Sequence, residues 1–470
     1  MNIKEEIKNL TPEKLGGLEE AMARFSREEP DEETDEPPWI DKDGSVDEAA
    51  YCEWMIKRRP MKCLHDQLYD ADGSIADPAM NPTIMQDIMP YVRKNLAKKV
   101  IALLSALKIL CAVNDLPIQE DRIHFKNGTY FIASRRFEKS KEICLNRLPI
   151  SYNPDASEPV RWLKFLNELM YEEDIPTLQE FMGYTLIPTT RAQKMLLVIG
   201  NGGEGKSRIG RVLRSILGDN MNTTSIQKLA TNRFCPADQE GKLLMLDDDM
   251  KMDALPDTNV LKAVVTMEDK IELERKCRQS TQGYLYVRIM AFGNGSLAAL
   301  YDRSDGFYRR QIVMQVRNKD KDRIDDVRLG DKLIEESEGI VLWMLEGLHR
   351  LIRNDFRFTI SHRTKMQMEE IRKADNNIMD FYESEGYIRF EKNTMATTRQ
   401  LYIAYCQWCQ DNLERPLAEK TFTQQLKKDA EALGLTYDKN IDVGGGKRSR
   451  GYHGVHVQIN TAFWNGMMGR

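Results

Sequence analysis

The hydropathic pattern of the chain changes period several times, and each change predicts an element. Val100–Val113 (VIALLSALKILCAV) is apolar on nearly every face and predicts a buried helix. Ile123–Ile132 (IHFKNGTYFI) alternates around Asn127 and Gly128, the pattern of a hairpin. Pro159–Tyr171 and Ile175–Gly183 then read as two helices. Met195–Ile199 (MLLVI) has no polar break at all, which predicts a parallel strand buried on both faces. Lys242–Leu246 (KLLML), Val287–Gly293 (VRIMAFG) and Ile312–Val316 are further apolar strands. Between the first and second of these, Lys270–Gly283 (KIELERKCRQSTQG) alternates with period two and predicts a charged, exposed hairpin. Buried strands interleaved with helices point to an α/β fold with a parallel sheet.

The C-terminal third changes character. Lys332–Leu351 carries Ile340, Leu342, Trp343, Leu345 and Leu348 at helical spacing and predicts a helical lid, with Trp343 and Met344 in the core. A mainly polar helix, His362–Glu383, follows. Helices are then expected over Gln400–Leu413 and Thr421–Leu433. Val443–Gly454 (VGGGKRSRGYHG) reads as a glycine-rich hairpin tip bearing Lys447, Arg448 and Arg450, with Val455–Ile459 returning. Helix, helix and basic hairpin make a winged-helix pattern, and such a wing straddles a phosphate backbone.

The chemistry starts where Met195–Ile199 ends, in Gly200, Asn201, Gly202, Gly203, Glu204, Gly205, Lys206 and Ser207. Glycine, four residues, then Gly-Lys-Ser is the full phosphate-loop pattern. Its glycines turn the backbone and present N–H groups to an anion without side chains in the way. Lys206 is placed to reach the outer phosphates, Ser207 to offer its hydroxyl to magnesium, and the helix after it to aim its positive end at the phosphates. ATP and Mg2+ are therefore the expected ligands. Lys242–Leu246 runs into Asp247, Asp248 and Asp249. Carboxylates at the carboxyl end of a parallel strand beside such a loop are where the metal and the attacking water must be held. Strand length favours Asp247 and Asp248.

Composition narrows the class. The 470 residues allow two to four domains, and 41% hydrophobic with 30% charged residues describes an ordinary soluble globular chain. No apolar run reaches the ~18 residues of a membrane helix, and MNIKEEIKNL lacks an apolar signal core, so a cytoplasmic location without membrane attachment is expected. Eight scattered cysteines fit a reducing compartment, and Cys406-x-x-Cys409 lies in an expected helix with no second ligand pair. The net charge of −5 is unevenly spread: Glu28–Glu36 holds seven carboxylates in nine residues and reads with its prolines as a solvated linker after an amphipathic helix over Asn2–Phe25. Tyr69–Ser74 (YDADGS) contains a D-x-D-G, which is read as a turn because no later carboxylate completes a calcium loop.

Taken in order, the Asn127-Gly128 hairpin, Tyr152-Asn153-Pro154, Trp162 with Phe165 and Leu166, Leu178-Gln179-Glu180, Gly183-Tyr184 and the phosphate loop resemble superfamily 3 helicases of phages, plasmids and large DNA viruses. The resemblance spans roughly residues 120 to 465. It implies an AAA+-like motor in which Asp248 and Asp249 act, Asp248 on the metal, so the choice among the three aspartates stays open. It also implies that Asn294 senses the γ-phosphate and that Lys276, with Arg275 and Arg278 beside it, lies on a DNA-contacting hairpin. Arg309 or Arg310 is implied to reach a neighbouring subunit's γ-phosphate, hence a ring, expected to be a hexamer. A C-terminal winged helix carrying Lys447, Arg448 and Arg450 agrees with the residue reading. The primase domain of larger relatives is not expected here.

The expected organisation is an acidic, partly helical region (1–84), a mainly helical domain (85–187), the motor (188–320), a helical lid and linker (321–390) and a winged-helix domain (391–470). The expected function is an ATP-hydrolysing DNA helicase, moving 3′ to 5′ on single-stranded and forked DNA, in replication of a phage, prophage or other mobile element in a bacterial host. A primase or polymerase is a candidate partner for the acidic N-terminus. Two other readings use the same loop: an origin-binding initiator ATPase, and a protein-remodelling AAA+ loader.

Overall fold

The computed structural model describes residues 37–459 apart from 252–254, 256, 295–304, 320–325, 376, 415, 418 and 443–447. The helix expected over 2–25, the acidic stretch at 28–36, and Lys447 with the hairpin tip at 443–447 lie outside the described residues.

One unit runs to Pro117 and includes Glu142–Leu145. It begins with α1 (Glu48–Arg58), whose first turn is capped by the Asp47 carboxylate accepting the Ala49 and Ala50 N–H groups at 2.9 and 3.1 Å. A meander of β1 (Met61–Leu64), β2 (Gln67–Asp70) and β3 (Gly73–Ile75) follows, then α2 (Asp77–Ile88) and α3 (Leu96–Leu110). The D-x-D-G is the β2–β3 turn: Asp70 accepts the Asp72 N–H at 2.8 Å and Arg59 Nε at 2.6 Å. The core gathers Trp39, Tyr51, Met55, Leu68, Ile84 and Leu107. Here α3 corrects the expectation of a helix buried all round. Val100, Leu103, Leu104 and Leu107 face the core, but Ile101 is 62% and Ile109 77% exposed. A helix laid on one side of a small core has only one face to bury.

The second unit comprises residues 118–141 and the chain from Asn146 onward. It opens with β4 (Arg122–Phe125), β5 (Gly128–Phe131) and β6 (Arg136–Glu138), an antiparallel sheet. The hairpin turns through Lys126 and Asn127, one position earlier than the Asn-Gly pair suggests, because Phe125 pairs with Gly128. The Asn127 side chain instead ties the turn to Tyr152, donating to its carbonyl at 2.9 Å and accepting its N–H at 2.8 Å. Next come α4 (Val160–Leu169), α5 (Ile175–Tyr184), β7 (Met195–Ile199), α6 (Ser207–Leu217), β8 (Met221–Thr223), α7 (Ile226–Thr231), β9 (Leu244–Met250) and α8 (Asn259–Thr266). The hairpin β10 (Ile271–Leu273) and β11 (Thr281–Gly283) precedes β12 (Arg288–Gly293), α9 (Asp305–Tyr308) and β13 (Gln311–Gln315).

Five of these strands form one parallel sheet in the order β13-β7-β12-β9-β8. This is the expected α/β architecture. β7 lies inside it between β13 and β12, buried along its whole length, which is why its sequence is apolar without alternation. Beneath the sheet the wholly buried Arg288 donates to the carbonyls of Thr185 at 2.8 Å and Thr189 at 3.3 Å and stacks on Tyr184.

The single helix expected over Lys332–Leu351 is two, α10 (Leu329–Ile334) and α11 (Ser337–Arg353). The break frees Glu335 and Glu336 for α4: Glu336 accepts the N–H groups of Arg161 and Trp162 at 3.2 and 3.0 Å, and Glu335 accepts Arg161 Nη1 at 2.8 Å. After α12 (His362–Asp375) and α13 (Asn377–Glu383), β14 (Ile388–Thr397) leads into α14 (Thr398–Asp411), α15 (Glu419–Asp429), β15 (Thr436–Asp442) and β16 (Arg448–Val457). A capping box of Thr397 and Gln400 starts α14. The three strands make an antiparallel sheet, β14-β16-β15. Cys406 and Cys409 are buried in α14, and no group of three or more His, Cys, Asp or Glu side chains is arranged to hold a metal among the described residues. Among those residues no helix is long and apolar enough to cross a membrane.

Candidate nucleotide site

The loop from Gly200 to Lys206 joins the end of β7 to the start of α6. Gly202, Gly203 and Gly205 take φ of 102, 80 and 113°, a range that a Cβ disfavours. Behind the loop, α6 lies hard against β9: a Cβ on Gly210 would meet Leu246 Cδ2 at 2.6 Å. The same Cβ would stand 3.9 Å from Asp248 Oδ1, so the Asp248 carboxyl lies on the α6 side of the sheet.

The three aspartates sit within β9 rather than beyond its end, and they differ sharply. Asp247 is 4% exposed and its Oδ2 accepts the Ile226 N–H at 2.8 Å, so it anchors the start of α7. Burial pushes its carboxyl above the ordinary carboxylate value, against the pull of that hydrogen bond. Asp248 and Asp249 are exposed. The β12–β9 register slips there, from Ala291 opposite Asp247 to Gly293 opposite Met250, so β9 carries an extra residue. Such a bulge re-aims side chains next to a site. Asn294, just after β12, brings Oδ1 to 3.9 Å from where a Gly202 Cβ would be. Loop, Asp248 and Asn294 thus converge at the carboxyl edge of the parallel sheet, where such sheets bind ligands. A serine hydroxyl at the head of α6 and an exposed carboxylate beside it are hard oxygen donors that suit magnesium.

Lys206 is only 8% exposed, and its Nζ donates to Glu204 Oε2 at 2.8 Å. Glu204, 2% exposed, also accepts the Gly202 N–H on Oε1 at 2.8 Å. Burial works to raise its carboxyl, but the bonds from Lys206 and the loop backbone bring it below its ordinary value. Asn201 Nδ2 donates to Asn318 Oδ1 at 2.7 Å, holding the outer loop to the segment after β13.

The loop opens onto a cavity of about 750 Å³, the size of a nucleotide pocket. Its outer wall consists of Arg161, Lys164, Phe165 and Glu168 from α4 and of Asp326, Leu329 and Lys332 around α10. None of these was singled out from the sequence for this site. The 161, 164, 168 spacing on one face of a helix was a legible cue, but its facing the loop is a tertiary fact.

The arginine pair lies elsewhere. The Arg310 carbonyl accepts the N–H of Met195, the first residue of β7, at 2.8 Å, and Lys194 bonds the Arg309 carbonyl. The length of β7, five residues at about 3.3 Å each, separates that point from the phosphate loop of the same chain. Arg309 is exposed.

The charged hairpin forms as β10 and β11, pinned at its shoulders rather than bare. Arg275 is paired with Glu240 and donates to Thr281 Oγ1 at 3.2 Å, while Arg233 Nε meets Glu274 Oε2 at 3.3 Å. Lys276 and Arg278 stand exposed at the tip. Arg448 and Arg450 are exposed on β16.

Three family descriptions match in chain order: D5 N terminal like over residues 39–170, a family of unknown function (DUF5906) over 198–310, and Poxvirus D5 protein-like over 373–446. No curated protein matches. Among solved structures, the A form apo structure of the NrS-1 C terminal region is 14% identical with a TM-score of 0.49, over 86% of this chain and 98% of that one. A JCV helicase structure is 15% identical with a TM-score of 0.28, over 48% of this chain and 61% of that one. Both structural likenesses are loose.

Proposed function

D5-like sequence flanks the motor on both sides, and from that premise we propose that this chain is an ATP-driven, ring-forming DNA helicase of the D5-like kind, in superfamily 3. The observation that carries the reading is the convergence of the phosphate loop, Asp248 and Asn294 at one edge of the sheet while the arginine pair sits at the other end of β7. In this reading a neighbouring subunit completes the site with its own arginine.

In this reading Lys206 and the loop N–H groups hold the phosphates, and Ser207 and Asp248 hold magnesium. Bound there, the ion neutralises charge on the phosphate oxygens. Asp249, displaced by the bulge from its neighbour's direction, orients the attacking water. Asp247 spends Oδ2 on the Ile226 N–H, which favours Asp248 and Asp249 for the metal and the water. Asn294, beside Gly202 of the loop, reports the γ-phosphate. Arg309 or Arg310 acts on the next subunit, a contribution of about 10³ to 10⁵ in rate for such residues. Lys276 and Arg278 at the hairpin tip grip the phosphates of a single strand in the channel of a hexamer, and Arg275 braces the hairpin through Glu240. The C-terminal sheet and helices act as a winged helix whose basic strand, with Arg448 and Arg450, meets duplex DNA at a fork. Translocation from 3′ to 5′, replication of a phage or other mobile element, and a primase or polymerase partner complete the proposal.

The test is ATP hydrolysis with and without single-stranded DNA on wild type, Lys206→Ala and Lys276→Ala. Stimulation by DNA in the wild type, none of the activity in the first variant and unstimulated activity in the second are expected. Hydrolysis indifferent to DNA would sink the translocating motor.

A further inference from the structure

We propose that Glu204 is a built-in stand-in for phosphate: its carboxylate takes Lys206 and a loop N–H, must be displaced for nucleotide to bind, and so sets the affinity of the site. This rests on the nucleotide reading above. The donors concerned are the ones a phosphate loop supplies to its ligand, the lysine ammonium and the backbone N–H groups. Glu204 takes one of each, Lys206 Nζ on Oε2 and the Gly202 N–H on Oε1, both at 2.8 Å. Carboxylate and phosphate oxygens compete for these donors.

The loop is shaped around the carboxylate. A Cβ on Gly200 would stand 2.8 Å from Glu204 Oε1 and 2.6 Å from Val316 Cγ2, so the first glycine of the pattern leaves the space in which the acid lies. Glu204 and Lys206 both line the cavity, so an incoming triphosphate meets the pair directly. A carboxylate left there would face the phosphates as a like charge, while Asn201, Gly202 and Gly203 are exposed and give it a way out. Without an internal anion, Lys206 would be a buried cation with nothing to hold.

The experiment measures the affinity of a non-hydrolysable fluorescent ATP analogue, with magnesium, for wild type, Glu204→Gln, Glu204→Asp and Lys206→Ala. Glutamine keeps an acceptor for the Gly202 N–H but removes the anion from Lys206, and aspartate is too short to bridge both. Both variants are expected to bind about 10-fold more tightly than wild type, the loss of one charge-assisted bond in the empty state. Nucleotide is also expected to raise the melting temperature of Glu204→Gln by more than that of wild type. Equal or weaker binding by the folded variants would make Glu204 a staple of the loop and overturn the proposal. Should Glu204→Gln not fold without nucleotide, Glu204→Asp decides. If wild type itself binds no analogue, the nucleotide reading fails first, and Lys206→Ala shows whether binding runs through the loop.

Discussion

Three consecutive aspartates look equivalent as letters and are not equivalent as groups. Asp247 is buried against the start of α7, whereas Asp248 and Asp249 stand exposed at the bulge. Asp248→Asn should therefore cut ATP hydrolysis about 10²-fold or more, the worth of several kcal/mol of charge stabilisation. Asp247→Asn, which keeps an acceptor for Ile226, should retain hydrolysis. The raised carboxyl of Asp247 gives a pH signature. A carboxyl whose folded value lies above its unfolded one favours the folded state when protonated, and that advantage is lost as pH rises through the folded value. The difference in melting temperature between Asp247→Asn and wild type should thus move in favour of the variant from about pH 4 upward. Activity lost in Asp247→Asn but kept in Asp249→Asn would overturn the assignment.

At the scale of elements, the site depends on how closely α6 approaches β9. Gly210→Ala puts a Cβ 2.6 Å from Leu246 Cδ2 and should cost about 1 to 3 kcal/mol in urea denaturation, with hydrolysis falling as the loop shifts. The β10–β11 hairpin separates gripping from bracing. Lys276→Ala should lower DNA stimulation and flatten its salt dependence while leaving backbone amide exchange in the hairpin unchanged. Arg275→Ala removes the tie to Glu240 and should lower stimulation together with faster exchange across 271–283. Identical exchange in the two variants would remove the bracing role.

For the whole molecule, the decisive question is whether sites form between subunits. A chain lacking both Arg309 and Arg310 and a chain carrying Lys206→Ala should each be inactive alone. Mixed, they should recover activity, about a quarter of the sites at equal proportions, because one intact loop can meet one intact arginine across an interface. No recovery in a mixture shown to co-assemble would place the arginine in its own chain's site. The two compact units each have their own core, Trp39 and Tyr51 in one and the parallel sheet in the other.

Much of this was legible from one dimension because it is local. A strand buried on both faces must be apolar throughout and a phosphate loop needs glycines at fixed spacing, so Met195–Ser207 announced β7, the loop and α6 in order. Trp39 and Leu68 did not announce themselves, since they join Leu107 only in the core of the unit they build. The same holds within the site. Which aspartate is spent on α7, whether Glu204 holds Lys206, that α4 and α10 wall the cavity, and that Arg309 and Arg310 stand a strand's length from their own loop are all decided by packing. Sequence spacing carries the period of a single element, while burial and register between elements assign the role of each side chain.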